Sequence, residues 1–294
     1  MSVDLSIIIP LLNEEESLPL LAKSLSVFID NHAELEIEVI FVDDGSSDSS
    51  WQIIKNLHNK DGRYKGIKLD KNFGKSIALA KGFISASGNF IATLDADLQD
   101  DPNELPKLLS EINKGHDLVC AWRKVRKDSK KKEIASKIFN LLMQLIFRVP
   151  LHDINAGRKI CSAKFINKIQ LYRGFHRFLA VFAKRMGLRV SEVPIEHFPR
   201  IKGSSRYGNE RIVETFFDML ILMFLRRHRA ASRALSLIFS AMLAICIILL
   251  CFVPFQTLLP LLIFFIVLPL AAHYLDSQGR NKLNSCVPKD FLGL

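Results

Sequence analysis

Acid is in short supply in this chain. Thirty Asp and Glu stand against forty Lys and Arg, for a formal charge of +10. Such an excess suits a polyanionic partner, yet no nucleic-acid-binding motif is present. The basic residues crowd into 123–137, 200–211 and 226–233, the last beside a long apolar run, so anionic lipid or a phosphate-bearing substrate is the better match. Cysteine is also scarce. Cys120, Cys161, Cys246, Cys251 and Cys286 show neither metal nor disulfide spacing, which fits a reducing compartment. Gly-x-Gly-x-x-Gly and the P-loop pattern are both missing, so nothing points to a dinucleotide or to an ATPase. The start of the chain lacks a secretory signal pattern: Leu5–Leu12 is too short and runs straight into Asn13-Glu14-Glu15-Glu16.

Apolar residues, by contrast, are plentiful. They make up 49% of 294 residues, and mean hydropathy is +0.18 despite 24% charged residues. That balance predicts a polar domain joined to a strongly apolar segment. Ala234–Val253 runs 20 residues without a charge, and after Pro254-Phe255-Gln256-Thr257 a second uncharged run covers Leu258–Tyr274. The first is long enough to span a bilayer and the second is at the short end of the range. Arg226, Arg227, Arg229 and Arg233 precede the pair, Arg280 and Lys282 follow it, and the connection carries no charge, so both ends are expected on the cytoplasmic side. The expected layout is a catalytic domain over 1–210, a membrane-surface amphipathic region over 211–233, two transmembrane helices over 234–275 and a cytoplasmic tail over 276–294. The spans contain no Gly-x-x-x-Gly, and a homo-oligomer is left open.

Within the first 210 residues, apolar strand candidates alternate with helical stretches. Leu5–Pro10, Glu36–Val42, Tyr64–Leu69, Phe90–Leu94 and Leu118–Trp122 read as strands. Ser17–Phe28, Ser49–Leu57, Ser76–Ala86 and Leu105–Lys114 read as helices; in the first, Leu18, Leu21, Leu25 and Phe28 form one stripe. This alternation predicts an α/β fold with a mostly parallel sheet. Ile134–Phe147, a stretch near Phe178–Met186 and a strand near Arg189–Pro194 follow.

The strands end in acid. Phe90–Leu94 leads into Asp95-Ala96-Asp97 with Gln99 close behind, and Asp101-Pro102-Asn103-Glu104 then reads as a helix start. The second strand ends in Asp43-Asp44-Gly45-Ser46. A lone D-x-D reads equally well as a solvated acidic turn, but these clusters and Pro10–Glu14 should all meet at the C-terminal edge of the sheet, where open α/β folds place ligands. Carboxylate and amide oxygens suit hard cations such as Mg²⁺ or Mn²⁺, which take one or two carboxylates plus substrate phosphates. The basic run Arg123, Lys124, Arg126, Lys127, Lys130, Lys131, Lys132 lies near the same edge. Arg200-Ile201-Lys202-Gly203-Ser204-Ser205-Arg206 is a Gly/Ser loop framed by arginines, suited to phosphate.

Ile9-Pro10-Leu11-Leu12-Asn13-Glu14, Val42-Asp43-Asp44-Gly45-Ser46, Asn72-Phe73-Gly74-Lys75, Asp95-Ala96-Asp97-Leu98-Gln99 and Arg200 through Arg206-Tyr207-Gly208 together resemble the inverting family 2 glycosyltransferases of the GT-A fold. The likeness is nearest to the branch acting on polyprenyl phosphates and covers roughly Val3–Tyr207. The resemblance implies a Rossmann-like GT-A catalytic domain followed by an interfacial helix and a two-helix transmembrane hairpin. It implies transfer of a sugar from a UDP- or GDP-linked donor to undecaprenyl or dolichyl phosphate, with a Mg²⁺ or Mn²⁺ cofactor, at the cytoplasmic face of a bacterial inner membrane.

Carried onto this sequence, Pro10, Leu12, Glu14, Val42 and Asp44 match positions that hold the nucleoside. Asp95, Ala96, Asp97 and Gln99 match the metal and donor-phosphate positions, with Asp97 and Gln99 as direct ligands. Arg123, Lys132 and Ser136 match positions for the acceptor phosphate, and Arg200 and Arg206 match cations that close over the donor diphosphate. Asp153 is an orienting candidate. Four departures stand out: Leu12 replaces a frequent aromatic, Asp100-Asp101-Pro102 is unusually acidic, Arg206 stands where lysine is frequent, and Asp153–Arg158 lacks the usual Gly-Phe-Arg form. An acceptor phosphate is already ionised, so no catalytic base is named. A processive polysaccharide synthase would carry Gln-x-x-Arg-Trp, but here Gln170-Leu171-Tyr172-Arg173-Gly174 lacks the Trp. A non-catalytic binding subunit would have no need of the acidic and basic sets together.

Overall fold

Strand β1 (Leu5–Leu11) leads through α1 (Leu18–Asp30) to β2 (Ile37–Asp43), and α2 (Ser50–Lys60) leads to β3 (Tyr64–Leu69). Helix α3 (Lys75–Ser85), β4 (Phe90–Thr93), α4 (Leu105–Ile112) and β5 (Leu118–Arg123) continue the alternation that the apolar pattern predicts. This is a computed structural model, and it describes residues 3–124, 130–196, 214–215, 217–219, 221–222, 274, 277–278, 280–281, 283–286 and 288–292. Every residue of β1 and β2 is buried, which accounts for their almost unbroken apolar sequence. Ile7, Ile9 and Phe41 face a core shared with Leu18, Leu21, Leu25 and Phe28 of α1, Trp51 and Ile54 of α2, and Leu105 and Leu108 of α4. Ile8 and Val42 face the other way, against Gly82 of α3. Both faces of the sheet are therefore covered.

After β5 the chain forms α5 (Lys130–Phe147), β6 (Lys159–Ser162), α6 (Ala163–Ile166), α7 (Leu179–Arg185) and β7 (Val190–Ile195). The eight-stranded sheet has the order β7-β5-β6-β4-β1-β2-β3-β8, with β8 formed by Pro288–Leu292. Strands β1, β2, β3 and β4 are parallel, as are β5 and β7, whereas β6 runs antiparallel between β4 and β5. The sheet is thus mixed and mainly parallel, the α/β arrangement expected, with two strands the pattern did not reveal. Because β6 is reversed, its beginning lies at the edge where β4 and β5 end. The C-terminal ends of β1 to β5 and the segment before β6 consequently share one edge.

The chain divides into two compact units, Met1–Arg206 with Ser285–Leu294, and Tyr207–Asn284. Residues 288–292, expected within a tail, add to β3 as an antiparallel edge strand, pairing Gly66 with Leu292, Ile67 with Phe291 and Lys68 with Asp290. Among the described residues no helix is long and apolar enough to cross a membrane. The two uncharged runs lie outside the described residues except for Tyr274, and the interfacial stretch is described only in part.

Candidate active site

The first two βα loops are stitched together. The Asn13 N–H donates to Ser46 Oγ at 2.8 Å and the Glu14 N–H to Ser50 Oγ at 2.8 Å, while the Ser47 N–H donates to Asn13 Oδ1 at 2.7 Å. Pro10 and Val42 are register partners, and the Asp44 N–H donates to Leu11 O at 2.8 Å, so Pro10, Leu12, Glu14, Val42 and Asp44 are brought together as expected. Asp44 is buried, and its carboxylate accepts the Phe73 N–H at 2.7 Å and the Gly74 N–H at 2.8 Å. It thereby fixes the loop before α3. Gly45 is required where these loops touch: its φ is +79°, and a Cβ would lie 2.5 Å from the Lys71 carbonyl carbon.

Holding Gly74, at φ +97°, sets where α3 begins and so where Lys75 points. The Lys75 ammonium pairs with Asp95 Oδ1. Burial alone would push the Asp95 carboxyl up, but Lys75 beside it, with Lys159 and Arg123 farther away, outweighs that and holds it below its ordinary value. Asp97 is almost fully buried, and its Oδ1 accepts the Gln99 N–H at 3.2 Å. Between them Leu98 adopts φ +62°, a conformation a leucine takes only when its surroundings impose it.

On the other side of the acids, Arg123 ends β5 and meets Asp153 side-on, with Nε to Oδ2 at 2.7 Å and Nη2 to Oδ1 at 3.0 Å. Helix α5 holds the Asp153 segment in place. Asn140 Nδ2 donates to His152 O at 2.7 Å, Gln144 Nε2 to Leu151 O at 2.9 Å, and Asn140 Oδ1 accepts the Ile154 N–H at 3.3 Å. Lys159 is buried nearby, its ammonium donating to Ala156 O. Burial pushes that ammonium down, and the positive charges of Lys75 and Arg123 act in the same direction. Lys132 and Ser136 lie one turn apart on α5; Ser136 is half-buried, and the side chain of Lys132 is outside the described residues. Arg200 and Arg206 also lie outside the described residues.

Residues 6–172 match the sequence model described as glycosyl transferase family 2. The chain belongs to this family. Among its relatives is a dodecaprenyl-phosphate galacturonate synthase from Rhizobium johnstonii, 33% identical over 234 residues, covering 78% of this chain and 69% of the relative. An undecaprenyl-phosphate 4-deoxy-4-formamido-L-arabinose transferase from Salmonella choleraesuis is 33% identical over 216 residues, covering 73% and 66%. The chain thus spans about two thirds of the length of these relatives. In fold it is similar to glucosyl-3-phosphoglycerate synthase from Mycobacterium tuberculosis, solved with Mn²⁺, UDP and phosphoglyceric acid, with a TM-score of 0.57 at 18% identity over 75% of this chain and 78% of that one.

The set expected to hold a divalent ion is Asp95, Asp97 and Gln99. Among the described residues no group of three His, Cys, Asp or Glu could hold a metal without help. Two carboxylates and an amide do fit Mg²⁺ or Mn²⁺, because such ions complete their shell with water and substrate phosphate. Sequence reasoning assigned no role to Lys75, Gly157, Arg158 or Lys159. Lys75 closes the Asn-Phe-Gly-Lys motif and could have been found there; Gly157 and Arg158 stand in the segment noted only for departing from the usual form, and Lys159 directly follows it.

Proposed function

We propose that this glycosyltransferase moves a sugar, with inversion at the anomeric carbon, from a nucleoside-diphosphate sugar to a polyprenyl phosphate at the cytoplasmic face of a bacterial inner membrane. The observation that carries this reading is one sheet edge holding Asp95 and Asp97 beside Lys75, with Arg123 locked by Asp153 next to them. Both relatives are named for polyprenyl-phosphate acceptors but for different sugars, so the acceptor class is what they have in common.

The division of labour follows from charge. Pro10, Leu12, Glu14, Val42 and Asp44 frame the nucleoside, and Ala96 stands between the two acids at the donor-phosphate position. The departing diphosphate gains negative charge, which Lys75, Arg200 and Arg206 are suited to stabilise. A divalent ion on Asp95, Asp97 and Gln99 would neutralise the same oxygens. Arg123, with Lys132 and Ser136, receives the acceptor phosphate, and Asp153 presents the Arg123 fork in a fixed orientation. A phosphate monoester has a second pKa of about 6, so the nucleophile is already charged at neutral pH and needs no base. Keeping two anions apart until they react is the larger task, and the cations on either side of Asp95 serve it.

For the membrane we infer two crossings, Ala234–Val253 and Leu258–Tyr274, preceded by a surface region. Pairing of β8 with β3 supports an even number, because the chain on both sides of the apolar runs joins one sheet. The test is a screen of UDP- and GDP-sugars against the purified chain with a short polyprenyl phosphate, read by mass spectrometry. A lipid-linked monosaccharide is expected. A chain that forms none and binds neither UDP nor GDP with Mn²⁺ would refute the reading.

A further inference from the structure

Two oddities of the sequence, the acidic Asp100 and the Arg158 that ends the unusual Asp153–Arg158 segment, turn out to be one contact. Arg158 is fully buried, and its Nη2 donates to Asp100 Oδ1 at 3.1 Å. Its Nε and Nη1 are buried without a hydrogen-bond partner among the described residues. The other oxygen of Asp100 lies 3.4 Å from the Asp95 backbone nitrogen, closing the acid loop on itself. Gly157, the preceding residue, touches the opposite end of that loop: a Cβ there would sit 2.6 Å from Asp95 Oδ2. Thr93, just before the loop, ties both strands together by donating to Gly157 O at 2.7 Å and accepting the Lys159 N–H at 3.2 Å.

We propose that Gly157 and Arg158 are positioning residues for the loop Asp95–Asp100, holding both of its ends so that its carboxylates are preset for a divalent ion and a nucleoside diphosphate. This rests on the function proposed above. An arginine buried with two unpartnered nitrogens is a poor way to gain stability, since a hydrophobic pair of similar size usually does as well. Its geometry has a clearer use. Leu98 is held left-handed in the middle of this loop, and such a conformation persists only where the flanks impose it. The flanks here are Asp95 against Gly157 and Asp100 on Arg158. Neither residue reaches the reacting atoms; each acts through the acids.

The experiment is a titration of Mn²⁺ in the presence of UDP, and separately GDP, followed by electron paramagnetic resonance on the full chain, with thermal unfolding of the same samples. Arg158→Met alone leaves the Asp100 carboxylate buried without its charge partner and should lower Tm. Arg158→Met with Asp100→Asn removes that imbalance and should recover Tm. The double variant should nevertheless bind Mn²⁺ about tenfold or more weakly, as loss of partners behind a metal ligand does elsewhere. Native Tm with native affinity in the double variant would overturn the proposal. Gly157→Ala provides a second arm if the double variant stays unstable. The added methyl meets the far end of the Asp95 side chain, which can move cheaply, so Tm should hold while Mn²⁺ binding weakens; unchanged binding there would also overturn it. If the native chain itself binds Mn²⁺ with neither nucleotide, the proposed function falls and this inference with it. Native binding matched by every variant defeats the inference alone.

Discussion

Arg123 and Asp153 form a parallel two-bond ion pair, at 2.7 and 3.0 Å, between the end of β5 and the segment leading to β6. The side chains are 16% and 4% exposed, so the pair is shielded enough to be stronger than an ordinary surface bridge. An Arg fork presents fixed donors on more than one side. With Asp153 occupying one side, the fork has one preferred orientation in which to meet the acceptor phosphate proposed for it.

Asp153→Asn should therefore retain the fold while loosening Arg123. The expected loss is about tenfold in kcat/KM for the lipid phosphate, or about 1.4 kcal/mol. It should fall mainly on KM for the acceptor and leave nucleotide binding unchanged. Arg123→Lys should do the same, because an ammonium cannot reproduce the fork. Acceptor titrations at saturating donor measure this, and an unaltered acceptor KM in both variants would remove Arg123 from the acceptor site.

Asp97→Ala should lower turnover about a hundredfold, the scale on which a charge-stabilising group is missed in a transition state. EDTA should abolish activity, and added Mn²⁺ or Mg²⁺ should restore it to the native chain but not to the variant. Full activity in Asp97→Ala would mean that the acids after β4 hold no metal.

Much of this arrangement was legible in the sequence, and what was missed has physical reasons. The parallel strands announce themselves because both faces are buried, so β1, β2 and β5 read as apolar runs. Acid immediately after β2 and β4 could then be placed on one edge by topology alone. Strand β6 is four residues long, starts with the buried Lys159 and pairs backwards, so it carries no periodic signal. Strand β8 pairs with residues more than two hundred positions earlier in the chain, a distance no local pattern can bridge. Asp153 stood out as an orienting candidate, but its contact with Arg123 could not be read, since it spans 30 residues and depends on how α5 packs. Asp100 and Arg158 were each visible as departures; only folding makes them a pair.

At the opposite edge of the sheet, Glu38 is a stability device with a pH signature. It is buried beside its register partner Ser6, and it accepts the Ser87 N–H at 2.7 Å and the Ser87 hydroxyl at 2.8 Å. Lys65 Nζ lies 2.8 Å from its second oxygen, a charge contact rather than a well-aimed hydrogen bond. Burial would raise the Glu38 carboxyl, but Lys65, Ser6 and Ser87 more than offset it and leave it below its ordinary value. A carboxylate lowered on folding contributes stability above its unfolded pKa, and that contribution is lost as pH falls through the folded value. Glu38→Gln should thus cost about 1.5–3 kcal/mol at neutral pH, the range for hydrogen bonds to a charged group. The gap between native and variant should close as pH drops below about 4.3. Unfolding curves at pH 7 and at about pH 3 decide it; a gap that stays constant would show that the charge on Glu38 contributes nothing.

The pairing of β8 with β3 makes the proposed membrane topology testable without reference to the reaction. Leu292 packs over Gly66, where an added Cβ would sit 3.2 Å from Leu292 Cδ1 and 2.8 Å from Ile54 Cγ2, so the strand is fitted to this edge rather than loosely laid on it. A chain that leaves the sheet after β7 and returns to it at β8 must end on the side where it left. On the two-crossing reading proposed above, the basic residues flanking the apolar runs put that side in the cytoplasm. A fluorescent protein fused after Leu294 should therefore be bright, and alkaline phosphatase fused there should be inactive, whereas phosphatase inserted in the 254–257 connection should be active. Removing residues 288–294 should expose the β3 edge, lower Tm and promote aggregation, since an unpaired strand edge invites pairing with other chains. An active phosphatase at the C-terminus would break the link between β8 and the catalytic sheet, and with it the even number of crossings.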